Sequence, residues 1–140
     1  MGSSPKAAAK PVRVFAEVDR RLRQILEPLR SRFAVTKDGP AGLAIEIPGL
    51  EGKPWGYIAG VRPGKRYVSF YLMPVYSSPE LMASMSPELR RRMQGKACFN
   101  FTRVDEPLFA ELARLTEAGL EPFVAIARQT DRERALARSR

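Results

Sequence analysis

Val14, Val18, Leu22, Ile25, Leu29 and Phe33 follow one another at steps of four, four, three, four and four. That spacing stacks side chains on one face of a helix and predicts an amphipathic helix over 13–32. Pro28 lies inside the pattern and either kinks the helix or ends it just before. The period then drops to two. Val35 and Thr36 precede the turn signal Asp38-Gly39-Pro40, and Leu43, Ile45 and Ile47 alternate with Ala44 and Glu46 beyond it. This reads as two short paired strands. Trp55, Tyr57, Ala59 and Val61 line one face of a further alternating run, and Arg62-Pro63-Gly64-Lys65 supplies turn chemistry. The chain returns as a strand over 66–75, with Val68, Phe70 and Leu72 on one face and Tyr67, Ser69 and Tyr71 on the other.

Two short helices are announced by caps. Ser78-Pro79-Glu80 and Ser86-Pro87-Glu88 each place a hydroxyl to accept a first-turn amide, with proline at the first helical position. Gly95 ends the second. A strand is expected over 96–102, with Ala97, Phe99 and Phe101 opposite Cys98 and Asn100. Asp105 caps a helix carrying Leu108, Leu112 and Leu115 inward, Gly119-Leu120-Glu121-Pro122 reads as a stop and restart, and a last helix runs to about residue 134. The order predicts an α+β fold. A single antiparallel sheet of about five strands carries N-terminal and C-terminal helices, with two short helices inserted before the last strand. Residues 12–134 form one domain, after a disordered leader over 1–11 and before a basic tail over 135–140.

Composition narrows the chemistry. Hydrophobic residues at 44% and charged residues at 28% of the 140 are ordinary for a globular domain. No run approaches the ~20 apolar residues of a membrane span, and the N-terminus lacks the apolar stretch of a secretory signal. One cysteine, Cys98, cannot form an internal disulfide and suits a reducing compartment, so a cytoplasmic location is expected. The net charge is +9, of which 1–12 carry two and 128–140 three. Tail charge attracts phosphates weakly, which makes salt-sensitive nucleic-acid binding an alternative and not the favoured reading. Histidine is absent, removing the commonest general base and metal ligand. One Cys and no His leave no zinc ligand set, and no phosphate-binding glycine loop is present. The expectation is a non-catalytic protein with no metal ligands and no cofactor.

Three stretches resemble the YdhG-like family of small bacterial proteins, whose domain is of unknown function. They are Phe70-Tyr71-Leu72-Met73-Pro74-Val75-Tyr76, the segment LRRRMQGKACFNF over 89–101, and Pro107-Leu108-Phe109 leading into the last helices. The resemblance implies an α+β sandwich similar to frataxins, and for one member an iron-chaperone role. An iron surface of that kind is a ridge of carboxylates on the first helix and first strand. Here the first helix has Arg13, Arg20, Arg21, Arg23, Arg30 and Arg32 against Glu17, Asp19 and Glu27, which repels a cation.

The candidate site is therefore sought among aromatic and basic residues on adjacent strands. Trp55, Tyr57, Tyr67 and Tyr71 offer polar-tipped rings, bordered by Arg62, Lys65, Arg66 and Lys96, with Asn100 beside them. Such a face can be a ligand wall, a homodimer surface, or the side packed beneath the short helices. The favoured partner is an anionic small molecule or an acidic protein segment. Cys98 is expected as a small buried hydrophobe on its strand.

Overall fold

The computed structural model describes residues 15–139. Helix α1 covers 15–25 and stops before Pro28. A one-turn 3₁₀ helix, Glu27–Leu29, follows with the proline in its first turn. Pro28 has no N–H for the α-helical ladder, and its ring would strike the carbonyl four residues back. The tighter turn uses bonds three residues back instead, Leu26 N to Arg23 O at 3.0 Å and Leu29 N to Leu26 O at 3.0 Å. The apolar stripe shifts with the change: Val18, Leu22 and Leu29 are fully buried as expected, but Leu26 takes the inward place expected of Ile25, which with Phe33 is only half-buried, and Val14 lies outside the described residues.

Five strands form one antiparallel sheet in chain order: β1 Ala34–Gly39, β2 Gly42–Glu46, β3 Tyr57–Pro63, β4 Val68–Leu72 and β5 Cys98–Phe101. The fold is α+β, as the alternating periods predict. Leu43, Ile45, Ala59, Val61, Phe70, Leu72, Phe99 and Phe101 face the helices and are at most 2% exposed. Helix α5, Glu106–Arg138, closes that face. Its Leu112 and Leu120 are buried in the same core, and Phe109 meets Phe101 edge-on at 5.0 Å between ring centroids. Asp105 caps α5 by accepting from Leu108 N at 3.2 Å, as expected.

Three elements depart from the sequence reading. The strand expected over 66–75 stops at Leu72, and Met73–Ser77 forms helix α2 with Pro74 in its first turn. Alternation cannot distinguish these apolar residues from a continued strand, whereas the proline favours a helix start. The stop expected at Gly119–Pro122 is absent, and α5 runs unbroken for 33 residues. Gly119 serves close packing: a Cβ there would lie 2.8 Å from Pro74 Cβ and 2.5 Å from Leu81 Cδ1. Pro122 sits on the exposed side, while buried Leu115, Thr116, Phe123 and Ala127 hold the helix on either side of it. Residues 135–138, expected in a basic tail, complete α5; the leader expected over 1–11 lies outside the described residues.

The paired serine caps form as predicted. Ser78 accepts from Leu81 N at 3.2 Å to begin α3, Pro79–Ser84, and Ser86 accepts from Leu89 N at 3.1 Å to begin α4, Pro87–Arg90. Glu111 of α5 then takes both Ser86 donors, the amide at 2.7 Å and the hydroxyl at 2.6 Å. All three short helices pack against α5. They do not fold over the opposite sheet face.

A proline in a helix interior costs up to about 3 kcal/mol through the lost hydrogen bond and the ring clash. Pro122→Ala should therefore raise the unfolding free energy, by about 1–3 kcal/mol in urea titration. A decrease would show that the ring contributes more by packing than it costs in the backbone.

Candidate binding site

The sheet face away from the helices is built in rows. Register places Lys37 opposite Ala44, Ala44 opposite Gly60, Gly60 opposite Tyr71, and Tyr71 opposite Cys98. In the next row Arg62 pairs with Ser69 and Ser69 with Asn100. Simple alternation puts Tyr57 on the side of Ala59 and Val61. A register shift at Ile45/Glu46, where Ile45 pairs with Ala59 but Glu46 with Tyr57, turns Tyr57 to the open face instead. Its side chain lies across Gly60. A Cβ at that position would sit 2.0 Å from the Tyr57 hydroxyl and 2.6 Å from Leu43 O, so only glycine admits the ring. Lys37, Ala44, Tyr57, Arg62 and Tyr71 together line a cleft of about 420 Å³. Clefts of this size accept small molecules.

The polar groups facing the cleft are mainly donors. Lys37 and Arg62 are exposed, and neither has an ion-pair partner among the described residues. Burial holds the Tyr57 phenol well above its ordinary value, with Tyr71, Glu46 and Cys98 adding to the rise and Arg62 opposing it. Tyr57 therefore stays protonated, and able to donate, across the physiological range. Glu46, the carboxylate acting on that phenol, already accepts from the Thr36 hydroxyl and from Gly52 N.

The structure gathers part of the expected set. Tyr57, Arg62 and Tyr71 line the cleft. Tyr67 and Asn100 belong to an adjoining network: Ser69 Oγ donates to Asn100 Oδ1 at 2.7 Å, Asn100 Nδ2 to Gln94 Oε1 at 2.6 Å, and Tyr67 OH to Gln94 Oε1 at 3.4 Å. Lys65 and Arg66 are exposed at the β3–β4 tip, just past Arg62. Lys96 lies outside the cleft, with its ammonium 5.5 Å from the Tyr76 ring centroid. Cys98 is half-buried on the open face and donates to Asn100 Oδ1 at 3.4 Å; it is not a core residue, because its strand parity opposes Phe99 and Phe101.

Trp55 is not on this face. It precedes β3 and packs on the far end of α5, where its Nε1 donates to Asp131 Oδ1 at 3.1 Å and Arg134 lies 5.3 Å from its ring centroid. Lys53 Nζ reaches the same carboxylate oxygen at 2.6 Å. Sequence reasoning missed Lys37, Ala44 and Gly60. Gly60 carried a readable signal, since a glycine inside a strand marks close approach of another group. Lys37 carried none, because β1 contains a register irregularity between Val35 and Lys37 that changes which face each residue takes.

The carboxylates of the N-terminal helical region are all engaged. Glu17 pairs with Arg20 at 2.6 Å, Asp19 with Arg23 at 2.9 Å and Glu27 with Arg30 at 3.0 Å. Arg21 and Arg32 reach across to Glu106 and Glu117 of α5 at 2.5 and 3.3 Å.

The Lys53 ammonium, and then the Trp55 indole, hold the Asp131 carboxyl below its ordinary value of 3.8. A depressed folded-state pKa contributes stability that is present above the unfolded value and lost as pH falls through the folded one. Trp55 is the sole tryptophan, so its fluorescence reads this contact. Emission should stay constant from neutrality to about pH 4 and shift to the red below it. Asp131→Asn should show the red-shifted emission already at neutral pH; unchanged emission would mean that the carboxylate does not hold the indole. Compared with protein-family models, curated proteins and solved structures, the chain finds no match in any of the three.

Proposed function

We propose that this protein is a non-catalytic binding module of the YdhG-like type, and that its open-face cleft holds a small anionic molecule with a flat apolar portion. The observation that carries this reading is the composition of the cleft wall. Two cations without ion-pair partners among the described residues, Lys37 and Arg62, flank two tyrosines over a floor that includes Ala44. Donors gathered beside aromatic surface suit a carboxylate or phosphate attached to a ring. An acidic protein side chain offers the same anion without the ring and would leave the tyrosine surface unused. The frataxin-like alternative has less support, since Glu17, Asp19 and Glu27 would each have to release an arginine to meet iron.

A thermal-shift series of aromatic carboxylates and aromatic phosphates, each beside its uncharged amide or alcohol counterpart, tests the reading. A ligand at about a hundred times its Kd stabilises by about 2.7 kcal/mol, which is several degrees for a domain of this size. The charged members should raise the midpoint and the neutral ones should not. The Lys37→Gln, Arg62→Gln double variant should keep its own midpoint and lose the response. A series with no charged member active would remove the proposal.

A further inference from the structure

We infer that the natural occupant of the cleft is one nucleotide of a single-stranded nucleic acid, its base against Tyr57 and Tyr71 and its phosphates on Lys37 and Arg62. This rests on the binding-module reading above and names its ligand class. Three observations lead to it. Tyr57 lies across the sheet over Gly60 instead of standing away from it, and Tyr71 is the cross-strand partner of Gly60. Rings set along an open sheet make a stacking platform for unpaired bases, and every base has a flat face to offer.

The second observation is a run of unpaired cations beside the cleft, although Arg114, Arg128, Arg132 and Arg138 of α5 also lack an ion-pair partner among the described residues. Arg20, Arg21, Arg23, Arg30 and Arg32 are all in ion pairs on the helical side. Lys37 and Arg62 in the cleft, and Lys65 and Arg66 at the adjoining β3–β4 tip, have no such partner among the described residues and are exposed. Four cations running from the cleft to the hairpin tip suit a chain of phosphates better than a single anion.

Third, the amide groups that could read a base edge are occupied. Asn100 and Gln94 bond to each other at 2.6 Å, and Ser69 and Tyr67 close the network at 2.7 and 3.4 Å. The face is thus equipped for stacking and backbone attraction, without base-edge discrimination. A duplex fits poorly, because its bases already stack on one another.

Fluorescence anisotropy with a labelled ten-residue oligothymidylate, alongside calorimetry with thymidine monophosphate, tests the inference on the full chain. The oligonucleotide should bind more tightly, with log K falling as log salt rises by about 0.7 per phosphate engaged. Lys65→Gln with Arg66→Gln should reduce that slope by about 1.4, the sum for two phosphates, and leave the monophosphate affinity unchanged. Tyr71→Leu should weaken the oligonucleotide about five- to a hundredfold, while Tyr71→Phe, which keeps the ring, should not. Thermal midpoints of all variants establish that they are folded. Oligonucleotide binding that is salt-sensitive yet indifferent to these substitutions would assign it to charge elsewhere on the chain and overturn the inference. An oligonucleotide no tighter than the monophosphate would overturn it too, leaving the small-anion reading in place. Failure of every anion, small or polymeric, would sink both.

Discussion

A β-strand sends alternate side chains to opposite faces of its sheet, and in this protein helices cover only one of the two. Phe70, Phe99 and Phe101 lie under α1 and α5 with no more than 2% of their surface exposed. The other face is left to residues that tolerate water, and the sequence supplies tyrosine, serine, asparagine and glycine there. The short helices could have relieved this asymmetry by closing over it. They are held to α5 instead, by the Leu81 and Pro74 contacts at Gly119 and by Glu111 on the Ser86 cap. The cleft follows from that choice of partner.

The five arginines of α1 and of the segment leading to β1 would repel one another if left free, yet each finds a carboxylate, two of them on α5. These pairs are largely exposed and each contributes little to stability. Their larger effect is local, since they tie α1 to α5 and to β1, while Arg114, Arg128, Arg132 and Arg138 of α5 have no ion-pair partner among the described residues. A formal charge of +9 thus gives little indication, taken whole, of where an anion is attracted.

Much of the architecture was legible because local chemistry and global fold agree. Ser78, Ser86 and Asp105 cap helices where their spacing to proline predicts, and Val68, Phe70 and Leu72 alternate as their strand requires. The site was only partly legible, and each shortfall has a physical origin. Tyr57 changes face through a register shift that no pattern of apolar residues encodes, because Ile58 and Ala59 are both buried beside it. Trp55 shares the parity of Tyr57 in sequence but lies before the strand begins, and its position depends on Asp131, 76 residues away. At Pro122 a local rule was overridden by packing: the proline signals a break, and the buried residues on either side keep the helix whole.

The continuity of α5 has a mechanical side. At about 1.5 Å per residue its 33 residues form a rod roughly 50 Å long, and the eleven after Ala127, its last buried residue, stand beyond the core. That overhang is clamped at Asp131 by Lys53 and Trp55. Two residues past Trp55 the chain becomes Tyr57, the wall of the cleft. The same three-residue stretch thus anchors the overhang of α5 through its indole and sets the phenol over Gly60.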